Sequence, residues 1–411
     1  MFKRFLIITV TLLIVFAGAT PRTSHEATLA QDMEPITVGA IFDLTGPTSD
    51  VSQFYAQGML GYVDWLNANG GIEGHPIEMI SQDYAYSVET AENLYVEFVN
   101  AGSVVFQGWG TGDTEALRGR IAEDEIPFMS ASYSATLGDP AEAPYNFLVG
   151  TSYSDQAIIL MQAMLDEWLD QGYAAEEMKV AFFHNDSPFG TSPLDDAEAW
   201  AAEHGIATVR VPMPRGATGF DAEITTNVVE AEATHIIIQN VSSPAALLVR
   251  NLGDLGLLDF VQVGCLNWCA DELLINGAGD YAEGIMGAIP FAPTSVEREG
   301  QADAIAWLDE TDGPSLAEST LHYTQGWVTM AVMAEGMRLT LANGEELTGP
   351  NIKANLETLA EFDTGGVTAP ITFTAEDHRG NRALHVYRVE DGVWVEASDL
   401  IDLREMEMDM E

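Results

Sequence analysis

Residues 106–117, FQGWGTGDTEAL, place three glycines, a tryptophan and two threonines between an apolar run and a helix-like segment. Such a turn can cradle an anion. A dinucleotide fingerprint needs G-x-G-x-x-G; Gly108 and Gly110 match it, but Asp113 stands where the third glycine belongs. A phosphate loop needs Gly-Lys followed by Ser or Thr. The chain holds three lysines, Lys3, Lys179 and Lys353, and none follows a glycine. Backbone N–H groups at a helix N-terminus still suit a small carboxylate. Trp109, Thr111 and Gly112 then become candidate contacts, and Asp113 a helix cap. An ordinary tight strand-to-helix turn is the competing reading.

Three further loops carry polar and aromatic residues in suggestive order. In MSASYSATLGDP (129–140), Ser130, Ser132 and Ser134 alternate around Tyr133 at a strand end, so Ser132 and Ser134 point the same way. In HNDSPFG (184–190), Phe189 is either a ligand platform or a core anchor. GCLNWCAD (264–271) holds the only cysteines, Cys265 and Cys269, with Asn267 and Trp268 between them. The pair is read as a disulfide or as two free thiols; no accompanying ligand cluster supports a metal. Trp268 and Trp109 could clamp an apolar or cationic group, and Asp271 is read as a helix start. Hydrolytic motifs such as G-x-S-x-G and H-E-x-x-H are missing, and the eight histidines are scattered. His184 is read as a strand-end packing residue rather than a general base. The sequence therefore points to binding without catalysis, metal or cofactor.

Composition narrows the partners. The formal charge is −48 over 411 residues, a field that repels nucleic acid and anionic lipid. Lys3-Arg4, the run FLIITVTLLIVF and Ala17-Gly18-Ala19 read as a secretory signal peptide. Residues 1–30 are assigned to that signal and a polar leader, which implies a periplasmic or extracellular protein. Residues 401–411 read as an acidic tail.

The loops need a frame to position them, and the chain supplies one by alternation. ITVGAIF (36–42), PIEMISQD (76–83), SVVFQ (103–107) and IPFMS (126–130) alternate with helical patterns. KVAFFH (179–184), IATVRV (206–211), THIIIQ (234–239) and VQVG (261–264) repeat the rhythm. Two doubly wound α/β units with parallel sheets are predicted. Beyond residue 284 the rhythm breaks: a strand at 284–291, helices at 299–310, 318–342 and 350–360, and strands at 371–373 and 384–391 complete the two units.

On these segments the sequence resembles the leucine/isoleucine/valine-binding type of periplasmic solute-binding protein, the type I receptors of ABC importers. VGAIFDLTGPTSDVSQFYAQGMLGYVDWLNANGGIEGHPIEMISQDY is its most specific stretch, and GWGTGDTEAL, IPFMSASYSA, VAFFHNDSPFGTS and VQVGCLNWCADELL follow in order. The resemblance implies two α/β lobes joined by three crossovers: 35–153 plus 287–362, and 154–286 plus 363–400. It also implies an amino acid, or a related amide or carboxylate, held between the lobes of a monomer that delivers it to membrane permease subunits. By resemblance, Ser132 offers backbone groups and Ser134 a hydroxyl and N–H to the ligand's charged end, with Phe189 against its side chain. Family members that bind amino acids often place a carboxylate near Asn267. Here the residue is neutral, which argues against a plain α-amino acid. A receptor or amide sensor on the same fold is the alternative function.

Overall fold

The structure, a computed structural model, describes residues 33–405; the expected leader and the last six residues lie outside it. The first sheet is built from β1 (Ile36–Phe42), β2 (Ile77–Asp83), β3 (Val105–Gly108), β4 (Phe128–Ser130) and β5 (Asn146–Phe147). Its order is β2-β1-β3-β4-β5, parallel throughout. Parallel neighbours cannot be joined by hairpins. The crossovers run through α1 (Ser49–Ala68), α2 (Val88–Asn100) and α3 (Thr111–Asp124). Helices on both faces explain why β1 is apolar and buried at nearly every position.

The second lobe follows with α4 (Tyr153–Asp170), β6 (Lys179–Asn185), α5 (Pro188–Thr191), α6 (Leu194–Glu203), β7 (Ala207–Met213) and α7 (Asp221–Ile224). It continues with β8 (His235–Gln239), α8 (Ser242–Asp254), β9 (Gln262–Cys265), α9 (Glu272–Ala278) and β10 (Met286–Ile289). After α10 (Ala302–Glu310), α11 (Leu316–Ala342) and α12 (Gly349–Leu356), the chain returns as β11 (Ala383–Glu390), β12 (Val393–Glu396) and β13 (Ile401–Asp402). The sheet order is β12-β11-β10-β9-β8-β6-β7, with β13 on β11. The late strands β11, β12 and β13 pair antiparallel.

Several sequence expectations shift here. The segment 371–373 forms an isolated bridge between Phe362 and Ile371 rather than a strand. Residues 363–380, expected in the second lobe, pack on the first: Leu148 bridges Arg379, and the His378 ring stacks 4.0 Å from that of Phe147. The chain therefore passes to the second sheet just before β11. Residues 401–402, expected in the acidic tail, pair with β11, and Leu403 behind them is buried.

Helix α11 packs along α1. Their glycines permit this closeness. A Cβ on Gly58 would stand 1.8 Å from the carbonyl oxygen of Tyr323, and one on Gly326 would stand 2.0 Å from that of Tyr55. Near its start α11 is broken at Thr320, a β-branched residue at φ 63° and ψ 170°, a conformation that costs free energy and persists only where its surroundings impose it. Glu272 of the second lobe supplies one such restraint: its carboxylate accepts from Leu321 N at 2.9 Å and from the backbone N–H and hydroxyl of Thr294.

Candidate functional site

In open parallel sheets, ligands bind where loops leave the carboxyl ends of strands. Both lobes turn those ends toward each other. A small gap between them is lined by Thr48, Tyr86, Trp109, Gly110, Thr111 and Ala131 from the first lobe. Tyr153, Phe189, Val241 and Trp268 line it from α4 and the second lobe. Among the described residues no carboxylate, lysine or arginine lines this gap.

Four of the residues singled out by sequence meet here: Trp109, Thr111, Phe189 and Trp268. The two indoles touch edge to face across the lobes, with ring centroids 4.8 Å apart at 61°. Each indole N–H is satisfied on its own side: Trp109 Nε1 donates to Thr48 Oγ1 at 2.8 Å, and Trp268 Nε1 to the Tyr153 hydroxyl at 2.8 Å. The rings therefore present their apolar surfaces to the gap. Phe189 meets Tyr153 edge to face at 5.5 Å. Burial holds the phenols of Tyr153, Tyr133 and Tyr86 well above their usual range, so all three are neutral.

The glycine turn behaves differently from its first reading. Gly108, Gly110 and Gly112 all have negative φ, so space decides two of them rather than conformational freedom. A Cβ on Gly108 would stand 2.3 Å from the Phe128 ring, and one on Gly110 would stand 2.3 Å from Asp113 Oδ1. At Gly112 a Cβ would meet only Pro188 of the opposite lobe, at 3.5 Å. Asp113 is the cap the sequence suggested: it accepts from Gly110 N at 3.3 Å and from the Tyr84 hydroxyl at 3.0 Å. Its burial pushes the carboxyl up to about 7.

The serine loop is one layer back. Ser132 Oγ lies 2.7 Å from Thr111 Oγ1 and so supports a lining hydroxyl. Ser134 Oγ turns away, toward Glu115 at 3.3 Å and Thr136 at 3.2 Å. Tyr133 stacks behind Trp268 at 6.2 Å and 10°, and its hydroxyl accepts from Gln325 Nε2 at 2.8 Å. Cys265 and Cys269 are disulfide-bonded, which resolves the alternatives left by their spacing. Within that short loop Asn267 is fully buried; its backbone N–H donates to Gln156 Oε1 at 3.0 Å. Its carboxamide oxygen and nitrogen have no hydrogen-bond partner. Buried polar atoms in that condition are uncommon.

Sequence reasoning missed Thr48, Tyr86, Ala131, Tyr153 and Val241. Tyr86 had a local signal: the D-Y-A-Y stretch directly follows a strand. Ala85 and Tyr86 take φ of 50° and 57°, a pair of strained residues of the kind found at binding sites. Tyr153 and Val241 carried no such mark.

Two facing α/β lobes, with a site formed from the loops of both, define a two-lobed solute-binding protein. The chain belongs to the periplasmic binding protein family, whose pattern matches residues 35–393, and it has the type I fold of that family. It is similar in structure to a branched-chain amino acid ABC transporter protein from Thermus thermophilus crystallised with valine. That match has 24% identity and a TM-score of 0.83 over 92% of this chain and 99% of the other. A substrate-binding protein of an ABC transporter from Aeropyrum pernix matches at 27% identity and TM-score 0.80, over 90% and 96% of the two chains. A fatty acid ABC transporter substrate-binding protein from Thermomonospora curvata matches at 19% and 0.79, over 90% and 92%. No curated protein sequence matches significantly. Family and neighbours together support a solute-binding role.

Proposed function

We propose that the protein is the extracytoplasmic solute-binding component of an ABC importer. On this reading it is an exported monomer that captures a small solute between its lobes and presents it to membrane permease subunits. The observation that carries this is the contact of Trp109 and Trp268 from opposite lobes, in a gap lined by aromatic rings and hydroxyls. A solute held there touches both lobes only when they close, so binding favours the closed form. Among the described residues no helix is long and apolar enough to cross a membrane.

The lining favours a solute with an apolar body and a hydrogen-bonding or carboxylate end. Neutral hydroxyls and the N-terminus of α3 can receive that end. No lining carboxylate is available to pair with an α-ammonium. The structural neighbours include one holding valine and one named for fatty acids, so the chemistry of this cleft has to decide. Mass spectrometry of small molecules co-purifying with the native protein, followed by thermal shift with the identified compound, tests the reading. Uptake of that compound by cells should fall when the gene is deleted. Binding with unchanged uptake would make the protein a sensor on the same fold.

A further inference from the structure

A cavity of about 470 Å³ opens beside the cleft, within the range of small-molecule sites. Its walls adjoin those of the site at two points of the chain. Pro47 and Asn240 line the cavity, while the next residues, Thr48 and Val241, line the gap between the indoles. Met213, Phe220 and Leu247 give it apolar surface, and Arg215 and Arg250 bring two guanidinium groups.

Those arginines belong to the few described cations with no carboxylate partner. The sequence holds 64 carboxylates against 16 lysines and arginines, and most described cations pair with a carboxylate: Arg210 takes Asp195 and Glu198, Arg388 takes Glu167, and Lys353 takes Glu357. Neither Arg215 nor Arg250 has a described carboxylate within ion-pair distance, and among the described residues no carboxylate lines the cavity. Arg250 donates one N–H to the Gly277 carbonyl. Asp50 stands at the rim, with its carboxylate bound to Ser243. In so acidic a field, two cations without a described carboxylate partner create a local positive site that attracts anions.

We infer that this vestibule, rather than the N-terminus of α3, receives the anionic end of the solute, an elongated, apolar-bodied carboxylate whose apolar end enters the aromatic cleft. This rests on the binding reading above and names its ligand class. A plain small amino acid would not span both spaces.

The test uses the purified chain with octanoate and 4-phenylbutanoate, each beside its neutral primary amide, and with acetate as a separate small anion. Affinities are measured by titration calorimetry at fixed ionic strength. The carboxylates should bind about tenfold tighter than their amides, since each partly exposed ion pair contributes ~3- to 5-fold. Arg215→Gln and Arg250→Gln should each remove part of that preference, and Arg215→Lys should restore some of it. Arg250→Gln also loses the Gly277 contact and can loosen α8 against α9, so Arg215→Gln, at an exposed side chain without a partner, is the decisive variant. Amides that bind as well as carboxylates, or an unchanged preference in Arg215→Gln, overturn the vestibule while leaving the binding role intact. Acetate competing fully with octanoate would make this a separate anion site and overturn the elongated solute. No binding by any compound overturns this proposal and counts against the cleft reading it rests on.

Discussion

The imidazole Nε2 of His322 lies 2.8 Å from a carboxylate oxygen of Asp271, and neither side chain is exposed. His322 belongs to α11, which packs on the first lobe, and Asp271 caps α9 in the second by accepting from Leu274 N. The pair therefore ties the lobes together at the base of the cleft, where the His322 ring also stacks on Trp268 at 5.1 Å. Burial opposes charge on His322, but the hydrogen bond and the negative charge of Asp271 outweigh it and raise the imidazole above its ordinary 6.5. Its stabilising contribution is complete below pH 6.5 and is lost as pH rises through the raised value. Asp271→Asn should destabilise the protein by about 3–5 kcal/mol, as for a broken buried pair. The loss should be larger at pH 6 than at pH 9 in urea titrations. Equal losses at both pH values would show that His322 is neutral in the native protein.

Asp113 titrates in the same sense for a different reason. Burial raises its carboxyl from 3.8 to about 7, so the folded protein holds that proton more tightly than the unfolded chain. Its contribution is complete below pH 3.8 and disappears as pH climbs through about 7, on the order of a few kcal/mol. Asp113→Asn keeps an acceptor for Gly110 N, so its stability relative to wild type should rise between pH 4 and pH 7.5. Thermal melts across that interval give the answer, and parallel curves would count against the assignment.

The carboxamide of Asn267 is buried without a partner. Leaving such a group unsatisfied costs about 1–3 kcal/mol. Asn267→Leu should therefore stabilise the ligand-free protein by about 1 kcal/mol. If the amide serves the solute, the same change should weaken binding at least tenfold. A stabilised variant with intact affinity would remove Asn267 from the site.

Asp50 Oδ2 accepts from Ser243 N at 3.0 Å and from its hydroxyl, joining the start of α1 to the start of α8 across the cleft mouth. Neither residue lines the gap between the indoles. Asp50→Ala should therefore reduce affinity by shifting the population toward open lobes, by about three- to tenfold. X-ray scattering should show a larger radius for the unliganded variant than for wild type; identical radii would dismiss the latch.

Gly326→Ala would press a methyl group into the carbonyl of Tyr55, whereas Gly112→Ala meets only Pro188 at ordinary contact distance. The first should cost 1–3 kcal/mol or more, in the range of overpacked cores. The second should leave the unliganded stability within about 0.5 kcal/mol. Chemical denaturation of both variants compares them directly.

The strand–helix rhythm, the cap at Asp113 and the helix start at Asp271 were legible in the sequence because each depends on residues only a few positions apart. Trp109, Thr111, Phe189 and Trp268 were legible as loop residues at strand ends for the same reason. Tertiary structure decided which side chains face one another. Tyr153 and Val241 join the lining because the lobes meet there, and the Ser134 hydroxyl turns instead to Thr136 and to Glu115 on a neighbouring helix. The partners of His322, and the lack of a described carboxylate beside Arg215 and Arg250, depend on residues brought together from distant parts of the chain, and no local period or turn rule encodes that proximity.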